Sequence, residues 1–287
     1  MPTLKANNVS LEYRETGTGD PVVMVHGGFS DYRIWQVQRE ALGKNYRAIS
    51  YSCRYHWPNE PAAPEAEQPL DEHVDDLIAL VTELGAAPSH LIGNSSGGLL
   101  CILAAIRAPE LVRSLVLLEP FALPLLMSVP PGPVELIRLA LKHPRTAAVV
   151  AHFGVRVMGR TQAAFERGDL EKGLQIFTRA VLGRRGVEQM TEARIEQSHD
   201  NIEAFAAQLT RGTFSSTNED DIRRIAAPTL LLTGAQSPAM MGLFTDRVHD
   251  FLPHAERVEI PDASHDAHVD NPTAVTDAIV SFLARQS

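Results

Sequence analysis

The chain has 287 residues, of which 44% are apolar and 21% are charged, and its formal net charge is −9. This composition excludes a disordered or fibrous protein, and the length predicts one large domain or one domain with an insertion. The acidic balance argues against nucleic acid as a partner, and no apolar run approaches the roughly 18 residues that a membrane helix needs. Two cysteines, and an N-terminus without the pattern of a signal peptide, favour a cytoplasmic protein.

Short apolar runs alternate with helical patterns, which predicts an α/β class with a mostly parallel, doubly wound sheet. The strand patterns, in chain order, are residues 10–13, 21–25, 47–51, 91–92, 115–118, 229–232 and 257–260. Four of them, 21–25, 115–118, 229–232 and 257–260, are expected to be buried. The i, i+3, i+4, i+7 spacing of apolar residues predicts a helix over 71–84, and further helices are expected over 99–108 and 273–283.

Residues 121–212 interrupt this alternation. The stretch opens with several prolines and continues with helical patterns at 134–141 and 170–182, without a convincing strand. We therefore expect a helical cap over 121–212, inserted into a core that is formed by residues 1–120 and 213–287.

The pentapeptide from Gly93 to Gly97, Gly-Asn-Ser-Ser-Gly, follows an apolar strand and precedes an apolar helix. A serine on such a tight turn is held in a strained conformation that presents its hydroxyl above the sheet. The motif alone is also compatible with a Gly/Ser-rich loop, but its context favours Ser95 as a catalytic nucleophile.

The run His26-Gly27-Gly28-Phe29 ends another apolar strand. Acyl transfer builds negative charge on a carbonyl oxygen, and fixed backbone N–H groups can stabilise it. We expect the amides of Gly28 and Ser96 to form this oxyanion hole, and His26 to be a buried structural residue.

The general base is expected at His265, on the loop after the last predicted strand. His268, three residues further along the chain, is the competing candidate. His56 lies in the Pro-rich loop of residues 52–68, and His143 and His152 lie in the expected cap.

These three motifs, HGGF, GNSSGG and a late ASH, resemble the α/β-hydrolase superfamily, in its serine-nucleophile branch, over essentially the whole chain. The resemblance implies an α/β-hydrolase fold with an inserted helical cap, and a Ser–His–acid triad. Many members carry the triad aspartate after the penultimate strand, where this sequence has Gln236. A neutral amide cannot stabilise an imidazolium as a carboxylate does.

Glu119 closes the strand over 115–118 and offers a replacement acid. Members similar to zearalenone lactonases place a glutamate there, which implies a triad of Ser95, His265 and Glu119. The alternatives are that Glu119 is a partly solvated hinge residue, or that Asp246, Asp262 or Asp266 supplies the carboxylate.

Substrate contacts are expected from Phe29 and from Arg54, His56 and Trp57 of the Pro-rich loop, although a plain surface loop is equally compatible. The cap adds apolar side chains, chiefly Phe153, and also Leu125, Leu126, Met127, Val157 and Phe177. No motif for a metal or a dinucleotide is present, so no cofactor is expected.

These patterns predict a serine hydrolase that cleaves a carboxylic ester or lactone of a small molecule, as a monomer or homodimer without a membrane or nucleic acid partner. The same serine and histidine also suit a C–C bond hydrolase, or a cofactor-free oxygenase or proton-transfer enzyme. A non-catalytic ligand-binding protein is the third alternative, since Gln236 breaks the usual triad.

Overall fold

A computed structural model describes residues 2–63, 65–126, 132–213, 217 and 219–286. Its strands are β1 (Thr3–Ala6), β2 (Val9–Thr16), β3 (Pro21–Val25), β4 (Arg47–Tyr51), β5 (Gln68–Pro69), β6 (Ser89–Asn94), β7 (Val112–Leu118), β8 (Gly212–Thr213), β9 (Thr229–Gly234) and β10 (Glu256–Ile260). Each of the seven predicted strand patterns lies within a different one of these strands.

Eight strands form one sheet in the order β1-β2-β4-β3-β6-β7-β9-β10. The strands from β4 to β10 in this order pair in parallel, while β2 pairs antiparallel with both β1 and β4. The predicted α/β class with a mostly parallel sheet is therefore confirmed. The short strands β5 and β8 pair separately with each other.

The helices before the insertion are α1 (Gln36–Leu42), α2 (Leu70–Glu83) and α3 (Ser96–Arg107), and those after it are α11 (Glu219–Arg223), α12 (Ala239–Phe251), α13 (Ala267–Asp270) and α14 (Pro272–Leu283). Alternate residues of the central strands face opposite sides of the sheet. Val23 and Val25 pack in a core with α2, α3 and α12, whereas Val22 and Met24 pack in a second core with α1 and α14. Helices thus cover both faces of the sheet.

The expectation of a buried last strand is wrong. Four of the five residues of β10 are exposed, and Ile260 alone is buried. The reason is its position, because β10 pairs with β9 and forms the outer edge of the sheet.

Between β7 and β8 the regular elements that the structure describes are all helical. They are α4 (Leu123–Leu126), α5 (Pro133–Lys142), α6 (Pro144–His152), a π-helix (Phe153–Met158), α7 (Gly159–Glu166), α8 (Leu170–Glu188), α9 (Glu192–Asp200) and α10 (Ile202–Arg211). We call α4 to α10 the inserted helices. Within the described part of the chain, no helix has both the length and the apolar character required to cross a membrane.

Candidate active site

Ser95 lies in the sharp turn between β6 and α3. Its backbone has φ 52° and ψ −118°, a strained conformation for a residue with a side chain. Neighbouring strands hold it there: its N–H donates to the Leu118 carbonyl at 3.0 Å, and its carbonyl accepts from the Phe121 N–H at 2.9 Å. The turn is therefore fixed by the end of β7 and the segment that follows it.

The two glycines of the pentapeptide are required by close backbone packing. A Cβ on Gly93 would lie 2.5 Å from the Gly97 backbone, and a Cβ on Gly97 would lie 2.3 Å from the Val25 carbonyl oxygen. Real Cβ atoms do not approach other atoms so closely, so the G-x-S-x-G pattern has a steric cause in this fold.

Glu119 and His265 are brought together from the ends of β7 and β10. The His265 Nδ1 is 2.7 Å from Glu119 Oε2, and Glu119 Oε1 accepts from the Gly234 N–H at 2.9 Å. Both residues are buried, with 5% of the His265 side chain and 1% of the Glu119 side chain exposed. The carboxylate is thus bound on both oxygens, which offsets the free energy that its burial costs.

The pKa of His265 is raised above its ordinary value. Burial is the largest single influence on this pKa and lowers it, but the hydrogen bond and charge of Glu119, helped by the charge of Asp266, outweigh burial. The charge of Arg194 opposes them. The carboxylates therefore stabilise the imidazolium, which a histidine that accepts a proton from a serine has to form.

Among the described hydrogen bonds, none joins this ring to another of the acid candidates. Gln236 donates to Asp262 at 3.3 Å, in an exposed position, and Asp246 pairs with Arg257 at the surface. Asp266 accepts from the Nε of Arg194 at 3.0 Å.

His268 does not compete with His265. Its ring stacks on Trp35 at 4.4 Å between centroids, in the core that contains α1 and α14. Burial lowers the pKa of His268 to about 4. It is therefore a neutral residue of the protein interior.

The HGGF loop packs directly against the serine turn. A Cβ on Gly27 would lie 3.2 Å from the Ser95 Cβ, and one on Gly28 would lie 2.5 Å from the Phe205 ring. His26 fixes the loop, because its Nε2 accepts from the Cys53 N–H at 2.9 Å while its Nδ1 lies 2.8 Å from the Gly27 carbonyl. Burial and the nearby His56 lower the pKa of His26 to about 3, so it stays neutral.

Ser95, Ser96, Gly28 and His265 all line one cavity between the sheet edge and the inserted helices. Its empty volume, mouth included, is about 800 Å³. Pockets for small organic molecules span roughly 300–1,000 Å³. Its other lining residues are mostly apolar: Phe29, Leu70, Asn94, Leu99, Phe121, Met158, Phe177, Thr178, Val181, Leu182, Arg194, Phe205, Gln208, Leu209 and Asp266.

Of the expected substrate contacts, Phe29 and Phe177 line this cavity. Arg54 does not, because its guanidinium turns to α2, where it binds Asp76 through two hydrogen bonds of 2.6 Å and also contacts Glu72. His56 does not either, since its ring packs against His26 with 4.8 Å between centroids.

Trp57 and Phe153 also lie outside the cavity walls. The Trp57 ring lies beneath the Arg33 guanidinium, 3.8 Å away, and lines a separate surface depression. Phe153 is buried against Phe244. Leu125 and Val157 likewise belong to the core, while Met127 and the Leu126 side chain lie outside the described residues.

Sequence reasoning missed Arg194, Phe205 and Gln208 as cavity residues. They come from α9 and α10, far along the chain from every motif, and no local pattern marks them. Among the described residues, no group of three or more histidines, cysteines or carboxylates has the arrangement of a metal site.

The sequence matches the family described as "Alpha/beta hydrolase family" over residues 22–278. It is 23% identical over 281 residues to (E)-2-((N-methylformamido)methylene)succinate hydrolase of Acinetobacter baylyi, covering 97% of this chain and 95% of that protein. It is 24% identical over 298 residues to 3-oxoadipate enol-lactonase 2 of the same organism, covering 99% and 96%. The crystal structure of the enol-lactonase from Burkholderia xenovorans LB400 shares the fold, with a TM-score of 0.77, 19% identity and coverage of 99% and 100%.

Proposed function

Since the chain belongs to the alpha/beta hydrolase family, we propose that it is a serine hydrolase that cleaves a carboxylic ester or lactone of a small organic molecule. One observation carries this proposal: Ser95, His265 and the loop of Gly28 line one cavity, while Glu119 binds the His265 ring on its far side. The mostly apolar walls suit an uncharged acyl or alcohol group, and the names of several relatives and neighbours, enol-lactonase and esterase, agree with this class.

In the proposed reaction, the Ser95 hydroxyl attacks the substrate carbonyl while His265 Nε2 takes its proton. The charge on the carbonyl oxygen is stabilised by the N–H groups of Gly28 and Ser96. When the tetrahedral intermediate collapses, the imidazolium returns the proton to the leaving alkoxide, and an acyl-enzyme remains. Water, deprotonated by His265, then releases the acid and restores Ser95.

Glu119 is the proposed triad acid. It holds Nδ1 so that Nε2 is the free acceptor, and its charge stabilises the imidazolium at each proton transfer. Residues 121–212, which contain the inserted helices, are the proposed cap, and residues 1–120 and 213–287 are the proposed core. Several side chains of these helices form one wall of the cavity, which supports this division.

The first test is Ser95→Ala, assayed with p-nitrophenyl esters and with γ- and δ-lactones. We expect kcat to fall by about 10⁴- to 10⁶-fold, because the nucleophile is lost. The matched control is Ser237→Ala, which removes a hydroxyl outside the cavity that has no hydrogen-bond partner among the described residues. Substantial turnover by Ser95→Ala would contradict the acyl-enzyme and favour proton-transfer chemistry at His265.

The second test separates the two acid positions. Glu119→Gln should lower kcat by about 10⁴-fold, since the amide leaves the imidazolium without a charged partner. Gln236→Ala should have little effect, because its side chain contacts Asp262 and not His265. Circular dichroism checks that both variants fold. Equally mild effects of the two substitutions would remove Glu119 from the triad.

A further inference from the structure

One face of α9 is polar and buried. Arg194, Gln197 and Ser198 of α9, with Asn201 directly after its end, stand at positions i, i+3, i+4 and i+7, the spacing of the face that a helix usually fills with apolar residues. No more than 9% of any of these four residues is exposed. Buried polar groups of this kind are costly unless each has a partner, so their partners identify what the face is built to hold.

The first partner is the loop that follows β3. Arg194 Nη1 donates to the Phe29 carbonyl at 2.9 Å. Further along the helix, Gln197 donates to Asp31 Oδ1 at 3.0 Å and Asn201 donates to Asp31 Oδ2 at 2.7 Å. These contacts fix the loop on both sides of Ser30, directly after Gly28.

The second partner is the loop that carries His265. Arg194 Nε donates to Asp266 Oδ2 at 3.0 Å, and the side chains of this ion pair are each 9% exposed. The Arg194 guanidinium also donates to Ser198 Oγ at 2.8 Å, one helical turn away, which fixes its orientation. A single side chain therefore joins the loop of Gly28 to the loop of His265.

We propose that Arg194 is a positioning residue with two roles. It holds the Phe29 carbonyl so that the Gly28 amide faces the cavity, and its positive charge opposes that of Asp266 beside His265. The catalytic meaning of this inference rests on the proposed function. A planar guanidinium suits the task, because its donors point in fixed and different directions, as those of an ammonium do not.

Charged and titratable groups surround His265 on several elements. Glu119 faces it from the end of β7, Asp266 follows it in the same loop, Arg194 faces it from α9, and His268 lies one turn further on. Arg194 partly offsets the charge of Asp266, so that Glu119, which also hydrogen-bonds the ring, has the larger influence on the imidazole. Without Arg194 the charge of Asp266 would be unopposed and would favour the protonated form of His265, which cannot accept the proton of Ser95.

The test is an NMR titration of the His265 imidazole in the full chain without substrate, with the signal assigned by its absence in His265→Gln. We expect Arg194→Met to raise the pKa of His265, Asp266→Asn to lower it, and the double variant to return it towards the wild-type value. The control is Arg33→Met. It removes the cation bound to Asp31 in the loop after β3 and should leave the pKa of His265 unchanged.

An unchanged pKa of His265 in folded Arg194→Met, or shifts of the same sign in both single variants, would overturn the inference. If Arg194→Met does not fold, Asp266→Asn and Arg194→Lys decide in its place, since Lys keeps the charge and should leave the pKa of His265 near its wild-type value.

Steady-state kinetics tests the positioning role of Arg194. For Arg194→Lys we expect kcat to fall on the order of 10- to 100-fold with a smaller change in KM, because a misplaced amide weakens transition-state binding. In Arg194→Met the acid limb of the pH–rate profile should also move to higher pH. An unaltered kcat in Arg194→Lys would contradict the positioning role. Absence of any esterase or lactonase activity in the wild type would contradict the proposed function alone, since the NMR titration needs no substrate.

Discussion

Two of the inserted helices, α9 and α5, distribute their side chains in opposite ways. The inward face of α9 carries buried polar groups that bind the loops of the candidate active site. By contrast, α5 has no buried residue, and it exposes 76% of Val134, 61% of Ile137 and 80% of Leu141. One helix thus buries polar side chains, while the other leaves apolar ones in solvent.

This difference shows that the inserted helices do not contribute equally to the site. Hydrogen bonds are directional, so the contacts of α9 specify one position of that helix relative to the sheet edge. In α5 the three apolar side chains contribute little to burial, and the helix packs chiefly on α6. We therefore expect substitutions in the two helices to differ strongly in their effects.

The largest expected effect concerns Asp31, which accepts from both Gln197 and Asn201 and is fully buried. Asp31→Ala should lower the free energy of unfolding by about 2–4 kcal/mol, because it leaves buried donors without a partner. Urea denaturation at neutral pH measures this change. Asp200→Ala is the control, since Asp200 binds the same Arg33 at the surface and should contribute less than about 1 kcal/mol. Equal losses in the two variants would mean that α9 is not held by its polar face.

The smallest expected effect is that of Ile137→Ser on α5. Because this side chain is exposed, the free energy of unfolding should change by no more than about 0.5 kcal/mol. Val150→Ala, at a buried position of α6, is the comparison and should cost about 1–2 kcal/mol. Both can be measured by the same denaturation experiment. A loss for Ile137→Ser as large as that for Val150→Ala would show that α5 is packed more closely than its exposure indicates.

The central strands could be predicted from sequence because strands covered on both faces consist of short apolar runs. Among the elements that were not predicted, β1 and α12 illustrate two causes. In β1 only Ala6 is buried, so the strand carries little apolar signal, and α12 is interrupted by Gly242 within its helical pattern. The exposure of β10 follows from its place at the sheet edge, and three of its five residues are charged, which is a signal of exposure that its apolar residues Val258 and Ile260 obscured.

The candidate site likewise contains residues that could be predicted from the sequence and others that could not. Ser95, Glu119 and His265 could be named because each follows a strand, and the carboxyl ends of parallel strands meet at one edge of the sheet. The directions of loop side chains depend instead on distant partners. Arg54 is turned away from the cavity by Asp76, a residue of α2 that no local pattern connects with it. Arg194 reaches the cavity by the same kind of long-range contact.

The position of Glu119 has one more consequence, for how the protein tolerates change. The proposed nucleophile and acid both belong to a single β6–α3–β7 unit, in which the Ser95 N–H donates to the carbonyl of Leu118, the residue before Glu119. Of the three proposed triad residues, His265 alone comes from beyond the inserted helices. Lengthening or replacing those helices therefore changes the chain between acid and base, but leaves the geometry between serine and acid within one short, locally folded segment.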